Sequence, residues 1–279
     1  MPDGIVRELE RLLERQDEYV DDTFELLTTQ YEAAVRDVAD DLRGIVDQIE
    51  TTTDDRLTAD SVRVAQARLT AMRSMPAAAA VWDRWSSRLR RVADLAEDYF
   101  AVAGGVRAPS AQERSIVAEL IGLWPDGENL GSGTAARYYQ LSVHHRQELA
   151  NAVTRQVLGR TRRAQLVQEL VERTGKSSTQ AEQLFRDSTI QFARSVQSSR
   201  AEEQDYEYFK YFGPVDSITR PFCAPLVGGI FSRDEIEQMD NGQTGTGSVM
   251  VAGGGYNCRH HWQPVRRSWF SDDEWEAAR

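Results

Sequence analysis

Both cysteines and two of the four histidines of this 279-residue chain fall in its last quarter. Cys223 closes the segment D-S-I-T-R-P-F-C (Asp216 to Cys223). Cys258 sits in G-G-G-Y-N-C-R-H-H-W-Q-P-V (Gly253 to Val265). Thiols and imidazoles gathered at the two ends of one small unit suit a metal clamp, a crosslink or a thiol active site. Zinc needs four soft or borderline ligands in a tetrahedron, commonly mixed Cys and His. Extended residues at i and i+2 point the same way, so on a strand Cys258 and His260 share a face and His261 turns to the other. Cys223, Cys258 and His260 then supply three ligands. The fourth is His261 if the backbone bends, or Asp216, or water. No CxxC or HxxxH knuckle is present, and three other accounts stand beside the metal. They are a Cys223–Cys258 disulfide, two buried thiols beside a packing histidine, and a thiolate–imidazole nucleophile, which requires a lowered thiol pKa and an oxyanion site.

The neighbours of this cluster have plainer roles. Asp216 suits a turn cap, Thr219 a backbone bond, and Arg220 an ion pair that anchors the loop. Gly253-Gly254-Gly255 lacks the Lys and helix of a phosphate-binding loop, and close backbone approach to the Cys/His residues accounts for it better. His144 and His145 project from a helix in diverging directions, so they form no joint ligand pair.

The elements that must position the cluster are mostly helical. Residues 3–50 repeat apolar positions at steps of three and four, from Val20, Phe24, Leu27 and Tyr31 to Val38, Leu42, Ile45 and Ile49. Gln16 falls on the same stripe, which weakens toward the start. Thr51 to Asp55 breaks the helix, and a second follows over about 59–74. A third covers 77–103, starting after Pro76 and carrying Val81, Trp82, Trp85, Leu89, Val92, Leu95, Tyr99 and Phe100; Gly104-Gly105 ends it. Its Trp82/Trp85 pair reads as core. Ser110 to Trp124 is a short helix, Pro125-Asp126-Gly127 opens a loop, and helices follow at 135–158, 161–174 and 178–203. Gly175 stops the second of these, and Ser177 or Ser178 starts the third.

Near Asp205 the texture changes. Tyr206 to Phe212 alternates and is aromatic, as a strand requires. Beyond it glycine is dense, with a turn of helix at Arg233 to Met239 and short strands at Val249–Val251 and Trp262–Val265. A helical turn capped by Ser271 or Asp272 closes the sequence. The fold class expected is therefore α+β and predominantly α: long N-terminal helices and a helical body, then a small Gly-rich α+β unit. Its expected divisions are an acidic helical arm at 1–105, a helical body at 106–204 and the Cys/His module at 205–279.

Composition narrows the partners. The hydrophobic content of 41% is that of a packed protein, and no apolar run approaches the roughly 18 residues that span a bilayer. The first residues carry acids where a secretion signal needs basic and then apolar residues, so synthesis and solubility in the cytoplasm are expected. Net charge is −11, and it is uneven: the first 60 residues hold 18 acids against six arginines, while the other 219 are near neutrality. An acidic arm repels nucleic acid and favours basic partners. The basic exceptions are Arg155, Arg160, Arg162 and Arg163, and Arg266-Arg267. They are candidate contacts to DNA phosphates, or else solvated helix ends.

The order of a helix-rich body, an aromatic strand, D-S-I-T-R-P-F-C, L-V-G-G-I-F, G-G-Y-N-C-R-H and a trailing P-V resembles the phage Mu F-like minor head proteins, also called head morphogenesis proteins. The resemblance covers roughly residues 165–265, and its specific elements are D-x-x-T-R and N-C-R. Family members commonly carry His where Cys223 stands and Cys where His260 stands. An exchange between two zinc-compatible ligands favours Zn2+ over a disulfide, which tolerates no His. The family's acid after R-T has no clear counterpart in R-D-S-T at Arg186 to Thr189. What the resemblance implies is a virion component without catalysis: a minor capsid protein at or near the portal vertex of a tailed phage, acting in head assembly, genome packaging or DNA delivery. It implies the portal or major capsid protein as partner, several copies per particle, and the host cytoplasm as the place of assembly. From the residues alone, the competing class is an enzyme or toxin-like effector that uses Cys258 and His260 on a helical delivery arm.

Overall fold

The computed structural model describes residues 3–47, 77–104, 111–122, 131–158, 163–243 and 248–279, with isolated positions 60, 63, 64 and 67. Among the described residues five continuous helices come first: α1 (Asp3–Asp47), α2 (Ala78–Gly104), α3 (Ala111–Ile121), α4 (Gly133–Leu158) and α5 (Arg163–Glu203). The remainder mixes β1 (Tyr208–Phe212), β2 (Ile230–Ser232), α6 (Arg233–Glu237), α7 (Val249–Ala252), β3 (His261–Val265), a 3-10 turn at Arg267–Trp269, and α8 (Asp272–Ala278). The class is the one expected, α+β and mostly helical. The helix expected at 59–74 is described only at positions 60, 63, 64 and 67, which are helical. The breaks at Thr51 to Asp55 and Pro125 to Gly127, the Pro76 start and Gly105 lie outside the described residues.

Two expectations fail for local reasons. Gly175 does not divide a helix, because α5 runs unbroken from Arg163 to Glu203. Glycine lowers helix stability by about 1 kcal/mol but removes no hydrogen bond. Here the Ser178 hydroxyl turns back to the Thr174 carbonyl and the Thr179 hydroxyl to that of Gly175, so neither caps a new helix. Val249–Val251 is a helical turn rather than a strand. Ser248 caps it by accepting from the Met250 N–H, and that bond outweighs the β preference of two valines.

The described chain groups into two compact units that are not consecutive segments, unlike the divisions expected at 105 and 204. One comprises residues 1–22, 88–120 and 186–279; the other comprises 23–87 and 121–185. In the second unit the α1 stripe does what its spacing predicts: Phe24, Leu27, Tyr31, Ala34 and Val38 are all buried. Tyr31 and Trp85 meet Tyr138 and Phe185 edge-on, with ring centroids 4.9 to 5.9 Å apart. Trp82 and Trp85 are core residues, as expected.

The first unit carries the sheet. β1 is central, antiparallel to β2 on one side and β3 on the other, with Tyr211 opposite Trp262 and Phe212 opposite His261. The Cys/His module is too small to bury much apolar area by itself, and it does not rely on a core of its own. Its Phe209, Tyr211, Ile230, Trp262 and Val265 join a single buried cluster with Leu9 and Leu13 of α1, Tyr99 and Phe100 of α2, and Ala201 of α5. The Tyr99 hydroxyl donates to the Pro264 carbonyl at 2.6 Å. β3 is consequently buried on both faces and shows no alternation.

Candidate metal centre

Two loops deliver the sulfurs. Cys223 lies in a run of turns between β1 and β2, where its N–H donates to the Arg220 carbonyl and its carbonyl accepts from Leu226. Cys258 lies between α7 and β3, after Asn257, whose φ of 56° is left-handed, a conformation asparagine tolerates better than most residues. Glycine is required where the loops meet. A methyl group on Gly254 would overlap the Cys223 Sγ, and one on Gly213 would overlap the His260 ring. The close approach expected of the triple glycine is therefore real.

Helix α5 holds the second loop from two points seven residues apart, on one helical face. The Asp187 carboxylate accepts from the Asn257 N–H at 2.8 Å. Arg194, only 3% exposed, donates to the carbonyls of Cys258 and His260 at 2.7 Å each and to that of Val251 at 3.1 Å. Sequence reasoning missed Arg194. An arginine on a helix usually faces solvent, and its partners are carbonyls that leave no mark in the sequence.

Cys223, Cys258 and His260 converge, with Sγ, Sγ and a ring nitrogen all within 4.8 Å of one another. All three are at most 4% exposed. The sulfurs are 3.9 Å apart and unbonded, so both cysteines are free and the disulfide alternative is not what this structure contains. His260 Nε2 lies 2.9 Å from the Pro214 carbonyl, which can only accept, so Nε2 carries the proton. Nδ1 then presents its lone pair to Cys258 Sγ, 3.7 Å away. A ring N–H held by a backbone carbonyl while the other nitrogen faces the cluster is the usual arrangement of a metal-binding histidine. The Gly254 N–H also donates to Cys258 Sγ at 3.1 Å.

The two thiols are inequivalent. Cys258 is driven below the ordinary thiol range, first by a hydrogen bond from the Cys223 thiol and further by the Arg194 charge, with burial opposing. Cys223 is pushed up, first because its proton is held in that bond and then by burial. The proton shared by the pair is thus biased toward Cys223. A divalent cation held here would displace that shared proton and leave two thiolates to share its charge.

The two proposed fourth ligands stand apart. His261 Nε2 lies 2.6 Å from Asp17 Oδ1 of α1, so this ring closes an ion pair or hydrogen bond to α1 instead. Asp216 pairs with Arg259 at 2.7 Å and accepts from the Ile218 N–H at 3.1 Å. Those bonds hold its carboxyl near pH 2, far below the usual carboxylate range. Asp216 is thus a turn cap, as expected, and Thr219 bonds the Pro214 carbonyl. Arg220 reaches the Tyr256 carbonyl rather than a carboxylate. Arg266 and Arg267 offer no open basic patch. Arg266 stacks on Tyr206 and donates to the Gln204 carbonyl, while Arg267 lies over Trp275 and pairs with Asp272. Arg160 and Arg162 lie outside the described residues, as do the side chains of Arg155 and Arg163.

Searches against family models, curated proteins and solved structures found no match to this chain.

Proposed function

We propose that this chain is a structural minor head protein of a tailed phage, docking at or near the portal vertex during head assembly, and that Zn2+ staples its Cys/His module. The observation that carries this reading is a buried Cys223–Cys258–His260 cluster set inside a hydrophobic core. Catalytic zinc keeps a position open to water and substrate, whereas structural zinc is enclosed by protein. Two thiolates and an imidazole are the donors zinc prefers over magnesium or calcium. The resemblance in D-x-x-T-R and N-C-R supplies the assembly context. The acidic outer side of α1, whose apolar stripe is already buried, offers a docking face for a basic surface on a ring of portal or capsid subunits.

The test has two parts. The protein is sought in purified particles and quantified against the portal, and the His260→Ala variant is followed through head assembly. The reading expects a fixed ratio to the portal, and expects the variant to lose zinc, unfold around the module and leave heads unassembled. It is overturned if the chain is absent from particles, or if His260→Ala assembles normally and lacks only an enzymatic activity.

A further inference from the structure

The three donors leave one corner of a zinc tetrahedron to be filled. We propose that the phenol oxygen of Tyr211 fills it, an inference that rests on the cluster holding a metal. With metal–sulfur bonds of about 2.3 Å and metal–nitrogen or metal–oxygen bonds of about 2.0–2.1 Å, a tetrahedron has edges of about 3.8 Å between sulfurs. Its edges between sulfur and a light donor are about 3.5 Å. Four of the six edges are near that spacing in the structure, and the Cys223–His260 edge is within 4.8 Å. Cys223 Sγ and Cys258 Sγ are 3.9 Å apart, and Cys258 Sγ and His260 Nδ1 are 3.7 Å apart. The Tyr211 hydroxyl lies 3.3 Å from one sulfur and 3.7 Å from the other.

Nothing else among the described residues competes for the corner. His261 is bound to Asp17 and Asp216 to Arg259. Solvent is excluded around Tyr211, which is itself fully buried. Its hydroxyl bonds only the two sulfurs, weak partners for so buried a group. The ring cannot easily turn away, because it stacks on His260 at 8° with centroids 5.2 Å apart and packs on Trp262 at 4.3 Å. β1 fixes its height through the pairing of Tyr211 with Trp262. The consequence is a site closed by two sulfurs, one nitrogen and one phenol oxygen, with no exchangeable position for water or substrate. The module is then a staple and nothing more.

The test uses the full chain loaded with Co2+ in place of zinc, and azide as a probe of an open position. The wild-type visible spectrum is expected to be tetrahedral and indifferent to azide. Tyr211→Phe is expected to bind Co2+ more than about tenfold more weakly and to shift its bands when azide is added. Tyr211→His, which restores a donor, is expected to recover the azide-indifferent spectrum. A wild-type spectrum that moves with azide overturns the proposal, and so does a Tyr211→Phe protein matching wild type in affinity and spectrum. Should Tyr211→Phe fail to fold, the azide response of the wild-type protein alone decides. Retention of no metal by any of these proteins overturns the metal reading itself, and this inference with it.

Discussion

Each compact unit buries histidine, and the contrast between His145 and His260 shows what sets the Cys/His cluster apart. His145 is 1% exposed in the aromatic helical unit, and both of its nitrogens are occupied. Nδ1 meets the Tyr31 hydroxyl, and Nε2 lies 2.7 Å from the Gln180 side-chain oxygen. His260 is 3% exposed, but only Nε2 has a conventional partner; Nδ1 faces two sulfurs. Burial is the same in both. What differs is whether the second nitrogen is spent inside the core or aimed at other donors. His145 is a packing residue, and His260 belongs to a site.

That contrast can be broken by mutation, most severely at the sulfurs. Cys258→Ala removes a donor of the proposed metal site, and structural zinc contributes on the order of 10 kcal/mol to a fold it closes. The expected result is loss of fixed surroundings for Trp262, Trp269 and Trp275, read by near-ultraviolet circular dichroism, with far-ultraviolet helicity largely kept. Phe185→Ala tests the other core. It opens a cavity among Tyr31, Trp85 and Tyr138, at a cost of about 3–5 kcal/mol. Chemical denaturation should show that loss while bound zinc is unchanged.

A smaller effect, about 2–3 kcal/mol, is expected for Arg194→Met, which leaves the buried carbonyls of Val251, Cys258 and His260 without their donor. Unlike Phe185→Ala, it should also weaken zinc binding, because two of those carbonyls belong to the proposed ligands Cys258 and His260. The least effect is expected from pH at His145. Burial lowers its pKa below the ordinary 6.5, with the Gln180 bond opposing. The folded state therefore takes up this proton at lower pH than the unfolded chain does. Its contribution is full above 6.5 and lost as pH falls toward the depressed value. With zinc loading held constant, His145→Gln should flatten that part of the stability–pH profile relative to wild type.

Much of this was legible in the sequence, and the exceptions have physical causes. The α1 stripe, the aromatic strand at Tyr208–Phe212 and the Ser271 cap follow from periodicity and capping chemistry, which are local. Cys223, Cys258 and His260 were identifiable because few residue types do their chemistry. The fourth corner was not. His261 and Asp216 looked like donors until Asp17, 244 residues away in sequence from His261, and Arg259 were seen to hold them. Tyr211 read only as one residue of an aromatic strand, and its hydroxyl stands out only through its distances to both sulfurs. The continuity of α5 through Gly175 and the helical turn at Val249 likewise depended on side-chain bonds that propensity does not weigh.

The central claim is that sulfur and imidazole hold a metal to stiffen this fold. Zinc content per chain, measured by mass spectrometry of the purified full-length protein before and after chelation while thermal unfolding is followed, tests it most directly. The account predicts about one zinc per chain, lost in Cys223→Ala and Cys258→Ala, with a marked fall in melting temperature when the metal is stripped. A metal-free protein that melts at the same temperature with and without added zinc would contradict it.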